Sequence, residues 1–187
     1  MDYLPLAGGT VTGITTFSNT TDSTSLTTGA VVITGGLGVS KAIRGNTVHG
    51  AVWNDYAEYR ETTEVIEAGR VVIENGDDTL SLSTERLQPA ANIVSDTFGF
   101  SIGETETAKT PLAVAGRVLA YPYEERESFK PGDAVCSGPN GTVSKMSRGE
   151  LALFPDRILG FVSSVPSYEI WGTGNVAVNG RIWIRVK

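Results

Sequence analysis

The sequence predicts an all-β protein in two parts, a fibrous N-terminal segment of intertwined β structure followed by a β-sandwich head. Three observations predict it. The first fifty residues are roughly half Gly, Ser and Thr and carry only four charged side chains, Asp2, Asp22, Lys41 and Arg44. From Ala51 onward charge returns, and short β-branched or aromatic runs recur between turn formers. Helical periodicity is confined to one short stretch, residues 56–67. The composition shift divides the chain into a stalk segment, 1–50, and a head, 51–187.

In the stalk segment the apolar residues arrive in two short bursts, 11–14 and 31–33, each close to a diglycine, Gly8-Gly9 and Gly35-Gly36. These read as short strands and turns. Ordering a chain costs about 1 to 2 kcal/mol per residue, and so sparse a set of apolar side chains does not offset that within one copy. Three copies wound together supply the missing core, because glycines allow close backbone approach at a crowded axis while Val and Ile turn inward. The segment therefore predicts a homotrimer.

The head has strand signals at 70–74, 79–83, 98–102, 112–120, 134–137, 142–146, 158–163, 176–178 and 181–186. Asn75-Gly76-Asp77, Lys130-Pro131-Gly132 and Pro139-Asn140-Gly141 separate them as turns. It also reads as internally duplicated, about 65–123 and 128–187. Ala68-Gly69-Arg70-Val71-Val72 parallels Pro131-Gly132-Asp133-Ala134-Val135, and Asp78-Thr79-Leu80-Ser81 parallels Gly141-Thr142-Val143-Ser144. Further along, Phe98-Gly99-Phe100 parallels Leu159-Gly160-Phe161, and the run 112–118 parallels 176–182. Two such units packed face to face would bury both apolar faces.

Charge and composition narrow the function. A formal net charge of −6 leaves no cationic surface for phosphate neutralisation, so nucleic acid is not an expected partner. No run of about eighteen apolar residues is present, so no membrane insertion is expected. The single cysteine, Cys136, excludes an intrachain disulfide and cysteine-paired metal sites. No cofactor is implied. Gly99-Phe100-Ser101-Ile102-Gly103 matches the GxSxG nucleophile pattern, but the only histidine, His49, lies upstream and no helix pattern follows, so the run reads as a strand edged by glycines. His49 itself, beside Gly50 at the stalk–head junction, is a candidate ligand on a threefold axis, where symmetry would gather three imidazoles.

Trp53-Asn54-Asp55-Tyr56-Ala57-Glu58-Tyr59-Arg60-Glu61 concentrates aromatics and carboxylates at that junction. On a helix the spacing would bring Asp55, Glu58 and Glu61 to one face. Carboxylates held together repel, so one keeps its proton and acts as general acid while its neighbour acts as base. An acidic first helical turn capped by Asn54 or Asp55 is the plainer reading of the same residues. Trp171, Tyr168 and Trp183 are candidate contacts for a host surface glycan or protein, or else core residues.

Two family resemblances attach to these residues. Tyr3-Leu4-Pro5-Leu6-Ala7-Gly8-Gly9-Thr10-Val11-Thr12-Gly13 resembles the LPL-x-GGT-x-TG motif of phage tail-fibre and appendage proteins, and the run 27–39 resembles a second fibre repeat. Asn54-Asp55-Tyr56-Ala57-Glu58-Tyr59, with the head after it, is similar to the C-terminal intramolecular-chaperone domains of tailed-bacteriophage appendages, a glutamic-peptidase family whose members cleave themselves after trimer assembly. The resemblance implies a jelly-roll-like trimeric head that sets stalk register. It also implies a virion component, assembled in the host cytoplasm and joined to other virion structural proteins through its N-terminal segment, on a tail or, as a head fibre, on the capsid. Carried onto this chain, the scissile bond is Asn54-Asp55 with Asp55 and Glu58 as the acidic residues. Asn54 stands where cleaving members carry serine, so the head is read as structural first, and at most as a single-turnover autoproteolytic endopeptidase.

Overall fold

The computed structural model describes residues 8–47, 54–89, 91–172 and 174–187, which fall into two compact units, 1–46 and 47–187. In the first unit no strand or helix forms among the described residues. Its order is local and polar: the backbone N–H groups of Thr24 and Ser25 both donate to Thr28 Oγ1 at 2.9 Å. The strands expected at 11–14 and 31–33 are absent. A strand needs a neighbouring edge to satisfy its N–H and C=O groups, and this segment brings none of its own. Its apolar side chains face solvent, Ile14 at 99% and Leu26 at 96% exposure.

The second unit is all-β apart from short helical turns. Its strands are β1 (Asp55–Arg60), β2 (Val71–Glu74), β3 (Leu80–Leu82), β4 (Ala91–Ile93), β5 (Phe98–Ile102), β6 (Thr110–Ala120), β7 (Ala134–Gly138), β8 (Thr142–Lys145), β9 (Gly160–Ser164), β10 (Ile170–Trp171), β11 (Val176–Ala177) and β12 (Ile182–Val186). One seven-stranded sheet runs β5-β1-β6-β12-β9-β7-β8, antiparallel except for the parallel β1–β5 pair. A three-stranded sheet, β3-β2-β4, is the second layer, and β10–β11 is a separate hairpin.

The two layers close on one core. Val71 and Ile93 of the small sheet pack with Val118, Val135, Val162, Ile182 and Ile184 of the large one. Each such side chain contributes about 1.5 to 3 kcal/mol when fully buried, so this interface holds the sandwich together. The hairpins β2–β3 and β7–β8 share a register: Val72 faces Leu82 and Glu74 faces Leu80, while Val135 faces Lys145 and Ser137 faces Val143. Each opens on a glycine at positive φ, Gly69 (+88°) and Gly132 (+91°). The other matched runs lie on unlike elements. Phe98 begins β5 beside β1, whereas Gly160 begins β9 beside β7, the place that β4 takes beside β2.

The helix expected over 56–67 does not form. Residues 55–60 are β1, flanked on both sides by β5 and β6. Helix propensities differ by only tenths of a kcal/mol per residue, whereas a central strand pairs its backbone on two edges and packs its aromatics. Tyr56 stacks on Phe100 at 5.4 Å, and Tyr59 meets Phe98 edge-on at 6.0 Å. Among the described residues the α-helix is α1 (Arg148–Leu153), which starts at a capping box in which Ser147 and Glu150 bond each other's backbone N–H. Arg86 forks onto both Glu150 oxygens at 2.8 and 2.9 Å, and these bonds, with the Ser147 N–H, hold the Glu150 carboxyl at about 2.

Candidate functional site

β1 places the acidic junction motif in the sheet. Asp55 is fully buried, and its Oδ1 accepts from the Thr97 hydroxyl at 2.8 Å, while Oδ2 has no partner. Burial pushes this carboxyl above the ordinary aspartate value; the nearby Ser95 and Thr97 hydroxyls work against the shift, and the neighbouring Asp96 charge adds to it. Asp55 therefore takes up a proton at a higher pH than an ordinary aspartate does.

The peptide ahead of it is also gripped. The Asn54 carbonyl accepts from the Arg117 backbone N–H at 3.0 Å, and Asn54 Oδ1 accepts from Arg117 Nη2 at 3.2 Å. Asn54 Nδ2 is buried without a partner. Gly116, at φ +107°, lies against this carbonyl, where an added Cβ would strike the Asn54 oxygen. A hydrogen-bonded carbonyl followed by a buried carboxyl whose proton affinity burial raises has the elements of acid-assisted peptide chemistry.

Glu58 does not join them. A three-residue step along a strand changes face, so the shared helical face expected for Asp55, Glu58 and Glu61 is lost. Glu58 sits opposite Ile102 and Leu112, half-buried, and its side chain makes no hydrogen bond or ion pair among the described residues. Glu61 is exposed. His49 lies outside the described residues. Ser101 is the fourth residue of strand β5, paired with Ala57, and no helix follows it. Cys136 is buried in β7 with its thiol donating to the Ser144 carbonyl at 3.6 Å, and burial pushes that thiol up. Trp183 is core, Trp171 half-buried and Tyr168 42% exposed. Among the described residues no group of three or more His, Cys, Asp or Glu side chains could hold a metal ion. No helix among them is long and apolar enough to cross a membrane.

Sequence reasoning missed Arg117 and Thr97, the two residues that hold Asn54 and Asp55. Both lie more than forty residues downstream, and no spacing rule connects them to β1.

The raised Asp55 carboxyl has a testable sign. The folded state holds this proton more tightly than the unfolded chain, so Asp55 contributes most to stability below the ordinary aspartate range. Stability falls as pH rises from about 4 through the folded value, by about 1.4 kcal/mol for each unit of elevation. Asp55→Asn, which keeps an acceptor for Thr97, is expected to flatten this fall in thermal melts taken from about pH 4 towards neutrality. An unchanged slope would show that Asp55 ionises as freely folded as unfolded.

Fold and site together define a two-layer β module with a buried acidic residue at the start of its first strand. No family model matches the chain. No curated protein matches it. Among solved structures, the N base of head fibre gp8.5 of bacteriophage phi29 aligns with 70% of this chain and 92% of its own, at 12% identity and a TM-score of 0.39.

Proposed function

We propose that the chain is a virion structural protein of a tailed bacteriophage, one subunit of a homotrimeric fibre or spike. Its N-terminal segment joins the fibre to other virion proteins, on tail or capsid. Its β head drives trimerisation, sets the register of three stalk strands and presents a surface to the host. The observation that carries this reading is the first unit: a segment with the fibre motif in its sequence, no strand or helix among its described residues, and apolar side chains left in solvent. Single exposed apolar residues are ordinary, but Val11, Ile14, Phe17, Leu26, Val31 and Leu37 recur through one segment. Burial against identical neighbours removes that cost. The head contributes further exposed apolar side chains near the sheet edge at β5, which pairs with β1 on one side: Phe100 and Ile102 of β5 and Val114 of β6 are each more than 40% exposed.

Light scattering of the full chain is expected to give three times the 19.8 kDa chain mass, and Phe100→Glu with Val114→Asp to weaken that association by at least tenfold. A well-ordered monomer at micromolar concentration would overturn the trimer.

Self-cleavage at Asn54-Asp55 is a second reading, favoured by the buried Asp55, whose carboxyl burial pushes up, next to an Asn54 carbonyl that accepts from the Arg117 N–H. Intact mass separates the two. A fragment beginning at residue 55 that vanishes in Asn54→Ala or Asp55→Asn supports cleavage; a persistent full-length mass in assembled trimers supports the structural role alone.

A further inference from the structure

Three asparagines in the chain are followed by glycine: Asn75, Asn140 and Asn179. Such a pair is open to spontaneous chemistry, because glycine puts no side chain in the way of its own backbone nitrogen. We propose that Asn179 is the site at which the head deamidates, through a succinimide formed with Gly180, and that the isoaspartate produced unlocks the turn before β12. The site lies within one head, so it stands whether or not the chains trimerise.

The step balances with water as the only co-reactant. The Gly180 nitrogen bonds to Asn179 Cγ as the Cγ–Nδ2 bond breaks, and the departing NH2 takes the Gly180 N–H hydrogen and leaves as ammonia. Water then opens the succinimide ring. Attack at Cγ gives aspartate; attack at the main-chain carbonyl gives isoaspartate, with the chain now routed through the side chain. Either product adds a negative charge.

The three pairs differ in what holds their reacting atoms. Asn75 Nδ2 donates to Thr79 Oγ1 and its Oδ1 accepts from the Ser81 hydroxyl, both at 3.0 Å, so this amide is pinned at both ends. At Asn140 the nucleophile is engaged: the Gly141 N–H donates to the Ser83 carbonyl at 2.8 Å, and Gly141 is buried. Asn179 and Gly180 are both exposed, and among the described residues neither the Asn179 amide nor the Gly180 N–H has a hydrogen-bond partner. They are the central residues of a β-turn, at φ +48° and +75°, closed by the Arg181 N–H donating to the Val178 carbonyl at 2.9 Å. Opening that bond frees Asn179 to bring its Cγ to the nitrogen, the near-attack arrangement the reaction needs. The bonds that hold the other two pairs must break first, which slows them by about tenfold or more.

Isoaspartate lengthens the main chain at 179 by one carbon, and so tight a turn cannot absorb it while keeping the Val178–Arg181 bond. Arg181 moves with that bond. Its guanidinium, 3% exposed, holds Asp96 through two bonds of 2.9 Å and also donates to the Val178 and Ala177 carbonyls. Aspartate at 179, in contrast, places a charge on an exposed turn and leaves the backbone at its ordinary length.

The test is to age the full chain in mildly alkaline buffer made with heavy-oxygen water, then to map its peptides by chromatography and mass spectrometry that resolve aspartyl from isoaspartyl forms. A free peptide spanning 176–184 gives the unhindered rate. Heavy oxygen is expected first at residue 179, in both forms, and about tenfold more slowly at residues 75 and 140. Asn179→Gly, which suits a positive φ and has no amide, is expected to abolish that product and leave the other two unchanged. The aged isoaspartyl fraction is expected to melt several degrees below fresh protein, with Asn179→Asp close to fresh protein. A first product at residue 75 or 140, or none at 179 once the free peptide has fully converted, overturns the site. An isoaspartyl fraction with unchanged Tm overturns the unlocking of the turn.

Discussion

Gly116→Ala is expected to release β1 from the sheet and to lower Tm by roughly 6 to 12 °C, the equivalent of about 3 kcal/mol for a chain of this size. Two penalties combine at this position. Its φ of +107° lies where side chains other than hydrogen are strained, a cost of order 1 to 3 kcal/mol. The added methyl would also meet the Asn54 carbonyl oxygen and come within 2.8 Å of the Asp55 Cα. Neither neighbour is free to give, because the Asn54 carbonyl is the acceptor for the Arg117 N–H and Asp55 is fully buried. β5 should loosen with β1, since β1 is its only strand partner among the described residues. Hydrogen exchange reads this directly: protection should fall over Asp55–Arg60 and Phe98–Ile102 while β7 and β12 keep theirs. Gly76→Ala is the control, with open space around the added carbon and an expected change under about 0.5 kcal/mol. Unaltered protection of β1 in Gly116→Ala would mean that the close approach at Asn54 relaxes at no cost.

What the sequence disclosed and what it hid divide along the range of the interactions. The hairpins β2–β3 and β7–β8 were legible because their turns are written locally in Asn75-Gly76-Asp77 and Pro139-Asn140-Gly141, and their pairing residues lie within a dozen positions. β1 was not, because the strands that make it a strand, β5 and β6, arrive some forty to sixty residues later. Read alone, the spacing of Asp55, Glu58 and Glu61 has a helical period, and the competing period of two in Asp55 and Ala57 is only two residues long. β4 and β10 are too short to carry a pattern. α1 left a signal that was available: Ser147 and Glu150 stand at the capping-box spacing. For the acidic site, Asp55 and Asn54 were visible as unusual residues, but their partners Thr97 and Arg117 are tertiary neighbours. The stalk segment shows the opposite limit. Its composition points to sharing a core, and one chain folded by itself leaves that core unmade.

Asp96→Ala is expected to cost more than Arg181→Met, although the two remove the same ion pair. Burial decides the order. Losing Asp96 strands a guanidinium that is 3% exposed, and an unpaired charge in that position costs about 3 to 5 kcal/mol. Losing Arg181 leaves a carboxylate one-third open to water, which rehydrates, plus the Val178 and Ala177 carbonyls, whose lost bonds are worth about 1 kcal/mol each. Met keeps most of the aliphatic stem that packs over Gly69, so Arg181→Met should cost about 2 to 3 kcal/mol. The double variant buries no unpaired charge and should therefore be more stable than Asp96→Ala alone, which makes the coupling energy favourable by more than about 1 kcal/mol in a double-mutant cycle. Urea midpoints of the four proteins measure it. If Arg181→Met proves the more damaging, the arginine acts chiefly as a bolt between the Val178 carbonyl and the β11 end at Ala177, with Asp96 a minor partner. In the expected order, Asp96 is the group that makes a buried arginine tolerable.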